Sequence, residues 1–323
     1  MAILVTGAAG FIGSAVTLDL LDRGETVVGV DDLNGYYSPA LKQARLDRLL
    51  TRKNFFFHRG NISDPEALRA AKGTSEITKV VHLAAQVGVR YSLDEPRVYV
   101  NSNVAGHLEV LEFCRSLGAV EHLVYASSSS VYGGNKKVPF SEADRVDDPV
   151  SLYAATKRAA ELMSRTYTHL FGIPQTGLRY FTVYGPWGRP DMAYWLFTAA
   201  ILEGRPIRVF NFGRMWRDFT YIDDIVRGTI KVLDNPPTAG GPQHRLYNIG
   251  NSNPEELDHF ITVLEQILGR KAIREYEPLQ PGEVERTCAD VTGLDRDFGF
   301  VPTVPLEVGL ERFATWYREF HHC

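Results

Sequence analysis

The chain has 323 residues, 44% of them apolar and 23% charged, with a formal net charge of −4. That is an ordinary globular composition, long enough for one large α/β domain or for one with a smaller lobe, and its mild acidity excludes a broadly basic face for nucleic acid. Three cysteines (Cys114, Cys288, Cys323), no apolar run near the roughly 20 residues that cross a bilayer and no leader-like start after Met1 exclude a disulfide framework and CxxC metal spacing, and predict a soluble, cytoplasmic protein without metal or membrane partner.

Along the first half, short β-branched or aromatic runs alternate with helix-like stretches. AILVTG, TVVGVDD, FFFHRGN, KVVHLAA and HLVYASS lack strict alternation, as strands buried on both faces of a parallel sheet do. Between them lie AVTLDLLDRG, DPEALRAAKG, NVAGHLEVLEFCRSLG and, later, YAATKRAAELMSRTYTHLFG; the last two end on Gly118 and Gly172. This βαβ rhythm predicts a Rossmann-type doubly wound parallel sheet.

The rhythm breaks after QTGLRYFTVYG. Residues 184–218 are rich in Pro, Gly, Trp and Arg and resemble a binding segment, whereas FTYIDDIVRGTIKVL and LYNIG read as a return to the sheet. The expected division is a dinucleotide-binding domain at 1–180 plus about 219–250, and a smaller C-terminal substrate lobe at about 181–218 and 251–323.

VTGAAGFIGSA places Gly7, Gly10 and Gly13 between the first strand and the first helix. Glycines there let the backbone approach a pyrophosphate seated at the positive end of a helix. A tight strand–helix turn wants glycine too, so the motif gains weight from Asp31, which closes VVGVDD 18 residues after Gly13. A carboxylate there accepts bonds from adenosine ribose hydroxyls and repels a 2′-phosphate, which favours NAD; the alternative for Asp31 is a cap or turn role.

Tyr153 and Lys157 form YxxxK, one helical turn apart and so on one face. An ammonium beside a phenol lowers the tyrosine pKa, as a general base acting on a sugar hydroxyl requires. About 25 residues upstream, YASSSSVYGG sets Ser127, Ser128, Ser129 and Ser130 at the end of an apparently buried strand. A strand end dissolving into a loop would also explain four serines.

TGAAGFIG, VDDLN, VVHLAAQ, NVAG, YASSSSVYG, YAATK, LRYF and RDFTYIDD together make the chain resemble the extended short-chain dehydrogenase/reductases that act as nucleotide-sugar epimerases and dehydratases. GVRYSLDEP, FTVYGPWGRPDM, RDFTYIDDI and LQPGEV look most like the UDP-glucuronate 4-epimerase group. Relatives that decarboxylate or dehydrate carry acidic residues just before VYG; four serines here imply reversible oxidation at one carbon without that extra proton chemistry. The resemblance implies NAD, a UDP-sugar substrate, Ser128 as the catalytic hydroxyl beside Tyr153, and Lys157 on the nicotinamide ribose.

It extends the cofactor site to Phe11, Ile12, Asn61, Ile62, Leu83, Ala84, Ala85, Asn103 and Tyr180. Asn61 stands where relatives carry Asp, and its amide oxygen is expected to accept from the adenine amino group. Substrate contacts are expected from Ser127, Ser129, Thr182 and Arg189 at the uronate, Arg217 and Arg90 at the diphosphate, and Val209 and Phe210 at uracil. The alternatives are support of the loop by Ser127 and Ser129, a surface role for Arg189, an ion pair with Asp218 for Arg217, and a core role for the aromatic. Relatives also pair helices equivalent to 101–117 and 153–171 as a homodimer. Val104, Leu108, Leu111, Ala159, Leu162 and Tyr167 are the candidate contacts, unless they face the sheet. Competing readings are another UDP-sugar 4-epimerase, a UDP-glucuronate decarboxylase, and an NAD-binding regulator; the Tyr/Lys pair argues against the last.

Overall fold

Strands that are apolar on both faces must be covered on both, and connections long enough to hold a helix supply the cover. The computed structural model describes residues 1–280 and 282–323; Pro281, within the LQPGEV stretch, lies outside them. The chain opens with β1 (Ala2–Thr6), α1 (Phe11–Asp22), β2 (Val27–Asp31), α2 (Pro39–Leu50), β3 (Phe55–Arg59), α3 (Pro65–Lys72) and β4 (Ile77–His82). Two single turns, α4 (Tyr91–Asp94) and α5 (Pro96–Tyr99), lead through a π-helical stretch (Val100–Ala105) into α6 (Gly106–Leu117). Then come β5 (His122–Ser128), a 3₁₀ turn (Ser129–Tyr132), α7 (Leu152–Phe171) and β6 (Gln175–Tyr180).

These strands, with β10 (His244–Ile249), form one parallel sheet of seven in the order β3-β2-β1-β4-β5-β6-β10. The direction of winding reverses between β1 and β4, and the crevice at that point lies outside the carboxyl ends of the strands. The predicted doubly wound sheet is therefore present, with the five strands expected in the first half of the chain all in it.

The remaining chain builds β7 (Thr182–Tyr184), α8 (Ala193–Glu203), β8 (Pro206–Val209), β9 (Trp216–Tyr221), α9 (Ile222–Leu233), β11 (Pro254–Glu256), α10 (Leu257–Leu268), β12 (Ile273–Tyr276), α11 (Thr292–Phe298) and α12 (Leu306–His321). The expected return to the main sheet at FTYIDD is corrected here. β9 joins a small sheet in the order β11-β9-β7, because Phe219 stacks on Phe260 at 4.6 Å and Tyr221 meets Tyr184 at 5.6 Å. Only α9 comes back to pack on α1 and β5. The 184–218 segment likewise contains a regular helix and strand.

α6 and α7 pack side by side and leave Leu108, Leu162, Leu170 and Phe171 exposed, whereas Leu111 is sealed in the core beneath them. Leu111 thus faces the sheet and not a partner, a second correction.

The core also holds neutral histidines. His122 is fully buried between Thr176 Oγ1 at 2.9 Å and the Leu233 carbonyl at 3.2 Å, and burial lowers its pKa to about 4. The unfolded chain therefore takes up this proton first. Stability from neutral His122 is complete above pH ~6.5 and is lost progressively as pH falls toward the folded value. Between pH 7 and pH 5 the wild type should lose about 2 kcal/mol relative to His122→Gln, measured by denaturant unfolding of both at matched ionic strength. A constant difference between the two proteins would contradict a neutral buried imidazole.

Candidate active site

At the carboxyl end of β1 the backbone turns so tightly that side chains are excluded. Gly7 has φ +74°, and a Cβ there would lie 2.7 Å from the Ala84 nitrogen; one on Gly13 would lie 1.9 Å from the Gly7 oxygen. The Gly10 N–H closes the turn on the Gly7 carbonyl at 2.9 Å and begins α1, whose first turn holds no acid. Its free N–H groups and dipole favour an anion. Asp31 ends β2, buried, with one oxygen on the Ala9 N–H (3.0 Å) and the other on the Leu33 N–H (2.9 Å). Burial raises its pKa, and the Leu33 N–H works in the opposite direction. The turn role is real, and each oxygen keeps a lone pair for a further donor.

The other end of the crevice is built by α7 and the tip of β5. Ser151 caps α7 by accepting the Ala154 N–H at 3.1 Å, which sets Tyr153 in the first turn and Lys157 one turn deeper. Lys157 is buried and donates to the Ala126 carbonyl of β5 at 2.9 Å; burial lowers its pKa to about 8, against the pull of Glu161. Burial also raises the Tyr153 pKa, while the Ser128 hydroxyl and the Arg189 charge draw it back. The expectation that Lys157 would depress it is not met, because the ammonium is turned to a β5 carbonyl. The opposing groups are Ser128 and Arg189.

Arg189 arrives from the loop after β7 and holds Asp191 by a bidentate pair, which Tyr36 joins through its hydroxyl at 3.1 Å. Burial opposes the charge on Arg189, but Asp191 outweighs it and raises the pKa. Arg217 does not pair with Asp218, whose carboxylate is used up by the N–H groups of Asn251, Ser252 and Ala289 at 2.6–3.0 Å. Its guanidinium leans on the Trp216 and Glu285 carbonyls at 3.1 Å.

Both ends open into a single cleft of about 480 Å³, which runs from Gly7 and Asp31 past Ser128 and Tyr153 to Thr182, Arg189, Arg217 and Glu283. The pattern of the NAD dependent epimerase/dehydratase family matches residues 3–250. The chain belongs to that family. It is 47% identical to UDP-glucuronate 4-epimerase 3 of Arabidopsis thaliana over 99% of this chain and 77% of the plant protein. Among solved structures it is similar to UDP-glucuronic acid 4-epimerase from Bacillus cereus in complex with UDP-glucuronic acid and NAD, at TM-score 0.92 and 36% identity over 99% of this chain and all of that one. It is also similar to the UDP-glucose 4-epimerase of Thermotoga maritima with UDP-glucose, at TM-score 0.89 and 30% identity over 99% of this chain and 100% of that one.

Within this family fold the cleft brings together the predicted Gly7, Gly10, Phe11, Ile12, Gly13, Asp31, Asn61, Ile62, Leu83, Ala84, Ala85, Ser127, Ser128, Ser129, Tyr153, Lys157, Tyr180, Thr182, Arg189 and Arg217. The glycine cradle and the carboxylate at the end of β2 fit the dinucleotide that the family uses. Several roles change. Ser127 lines the cleft but is buried and gives its hydroxyl to Glu161 at 2.6 Å. Asn103 stands behind the lining, clamping the Gln86 backbone with bonds of 2.8 and 3.0 Å. The Asn61 amide oxygen already accepts the Ser63 N–H and hydroxyl at 3.0 and 2.9 Å, so its amide nitrogen is the group left to face Asp32.

Val209 is fully buried core, and Phe210 lies outside the lining between the guanidiniums of Arg90 (4.4 Å) and Arg208 (5.2 Å). Arg90 is half exposed, also outside the lining, and paired with Glu283. Asp32, Tyr36, Tyr37, Lys42, Gln86, Val284 and Thr287 line the cleft without having been foreseen. The apolar spacing of PALKQARLDRLL after Ser38 was the available signal for α2 and hence for Lys42.

Gly13→Ala should bind NAD about tenfold more weakly, because its Cβ must displace the turn. Nucleotide released on denaturing equal amounts of both proteins measures this, and equal release would count against the cradle.

Proposed function

We propose that this protein is the NAD-dependent isomerase UDP-glucuronate 4-epimerase, interconverting UDP-glucuronate and UDP-galacturonate through a transient 4-keto sugar. One observation carries the reading: Ser128, Tyr153, Thr182 and Arg189 line a single chamber, and the acid nearest them, Asp191, is held by Arg189 and the Tyr36 hydroxyl. Among the described lining residues the carboxylates are Asp31, Asp32 and Glu283. Beside Tyr153 no further acid/base group is available among the described residues, so dehydration lacks its proton carrier, and decarboxylation is governed by how the carboxylate is held. The full-length likeness to UDP-glucuronate 4-epimerases supports the uronate.

In this reading Gly7, Gly10 and Gly13 hold the NAD pyrophosphate, and Asp31 holds the adenosine ribose. The chemistry NAD supplies when bound is storage of the C4 hydride between oxidation and reduction. Tyr153 takes the C4–OH proton and later returns it, with Ser128 hydrogen-bonded to the same oxygen. Arg189 favours the phenolate electrostatically, and Lys157 serves the nicotinamide ribose. Arg217 binds the diphosphate. The 4-keto intermediate is a β-keto acid, which loses CO2 if its carboxylate stands perpendicular to the ketone; Ser129, Thr182 and Arg189 hold the carboxylate near that plane.

Residues 1–180 and about 219–250 serve the dinucleotide, and about 181–218 and 251–323 the nucleotide sugar, with β9 lent to the second. Three unpaired cysteines suit a reducing cytoplasm.

Incubation with UDP-glucuronate and no added NAD should yield UDP-galacturonate, since a closed redox cycle gains nothing by releasing its cofactor. Failure to convert UDP-glucuronate while UDP-glucose is epimerised would replace this reading with that of a neutral-sugar enzyme. Arg189→Ala should bind substrate about 10- to 100-fold more weakly and release CO2, leaving a 4-keto-pentose nucleotide and NADH. Tyr153→Phe should give neither epimer, CO2 nor NADH. Slow but leak-free epimerisation by Arg189→Ala at saturating substrate would confine Arg189 to the diphosphate.

The exposed Leu108, Leu162, Leu170 and Phe171 on α6 and α7 support a homodimer through a four-helix bundle. Sedimentation at micromolar concentration should give twice the chain mass, and Leu162→Glu should halve it.

A further inference from the structure

Arg45 of α2 is completely sealed from solvent. A buried guanidinium is ordinarily matched by a carboxylate, because desolvating an unpaired charge is costly. Arg45 donates only to neutral oxygens among the described residues. Its Nε meets the Trp187 carbonyl at 2.9 Å and its Nη2 the Gly188 carbonyl at 2.7 Å. Its Nη1 meets the Tyr37 hydroxyl at 2.6 Å and the Ala9 carbonyl at 3.3 Å.

The three backbone acceptors belong to two loops that are distant in sequence. Ala9 lies inside the glycine turn, and its own N–H is already fastened to Asp31. Trp187 and Gly188 immediately precede Arg189. That second loop is held in a demanding shape. Trp187 sits at φ +62°, a left-handed conformation that bulky residues adopt at a cost. A Cβ on Gly188 would lie 2.2 Å from the Tyr194 hydroxyl, whose oxygen accepts the Arg189 N–H at 2.9 Å. The Trp187 ring is gripped by Arg48 at 4.6 Å and by Trp316 at 5.2 Å.

We propose that Arg45 is a positioning residue that bolts the dinucleotide turn to the Arg189 loop, leaving its unpaired charge to be answered by the anion at the turn. The planar guanidinium reaches three backbone carbonyls and the Tyr37 hydroxyl at once, which the three donors of an ammonium cannot do. Its charge favours a diphosphate beside Ala9, and its geometry sets where Arg189 meets the sugar. Cofactor occupancy and substrate alignment are thereby joined through one side chain. The statement about Arg189 rests on the epimerase reading; the statement about the dinucleotide does not.

The test compares wild type, Arg45→Met and Arg45→Lys by NAD loss on dialysis, by CO2 released per epimerisation of UDP-glucuronate, and by UDP affinity. Arg45→Met should lose NAD about tenfold faster and raise the CO2 fraction about tenfold, with UDP affinity unchanged. Arg45→Lys, which keeps the charge without the fork, should recover NAD retention but not the CO2 fraction. Folded Arg45→Met with wild-type retention and partition overturns the proposal, and faster NAD loss with an unaltered partition overturns the coupling. If Arg45→Met fails to fold, Tyr37→Phe, which removes the one side-chain acceptor and keeps the charge, should raise the CO2 fraction about threefold with NAD retention unchanged; an unaltered CO2 fraction overturns the proposal. A wild type that turns over no UDP-glucuronate refutes the epimerase reading, and NAD retention then decides Arg45 alone.

Discussion

A single buried carboxylate keeps the chemical end of this protein in register. Glu161 is sealed in α7 and takes the Ser127 hydroxyl at 2.6 Å, the Arg179 fork at 2.8 and 2.9 Å, and Arg158 at 3.0 Å. Burial raises its pKa, but the bonds from Arg179 outweigh burial and hold the carboxyl ionised below its usual range. Ser127 and Arg179 are paired neighbours on β5 and β6, so the carboxylate ties both strand ends to the helix that carries Tyr153 and Lys157. Removing one member of such a cluster strands a charge in the core. The network continues from Arg179 to the Tyr132 hydroxyl at 3.0 Å and on to Asn248 at 2.6 Å, reaching β10 at the sheet edge.

That rigidity explains how adjacent serines diverge. The β5 pleat turns Ser127 to Glu161 and Ser128 to the cleft, since successive side chains on a strand point to opposite faces. Ser128 then accepts the Ser130 N–H at 3.2 Å and begins the 3₁₀ turn, which exposes Ser129 and Ser130 to the cleft. Four like residues thus do different work because a strand ends and a turn starts among them.

The electrostatics divide along the cleft. At the end nearest β2, Asp31 and Asp32 face Lys42, whose burial lowers its pKa against the pull of both acids. At the chemical end the charges are positive, Lys157 and Arg189, and the neighbouring His82 and His107 are kept neutral by burial first and by Lys157 as well. Burial raises the Tyr153 pKa, the Ser128 hydroxyl and the Arg189 charge work against it, and the two neutral histidines add no charge of their own.

The sequence by itself determined the sheet, the glycine turn, Asp31 and the Tyr153–Lys157 face, because each follows from local spacing: βαβ rhythm, tight-turn sterics, and one helical turn between two side chains. The serine run and the family motifs located the chamber. Only the tertiary structure decided which way polar groups turn. Asn103 and Ser127 fit a ligand-facing pattern, yet their hydrogen bonds go to Gln86 and Glu161, partners 17 and 34 residues away. Lys157 was placed on the right face, but its proximity to the Ala126 carbonyl depends on how β5 docks against α7. Arg45 carried no signal at all, since its backbone acceptors lie 36, 142 and 143 residues away on loops that meet only after folding. Spacing along a chain dictates the face a side chain shares; which atom it then touches is set by the packing of elements that the spacing does not contain.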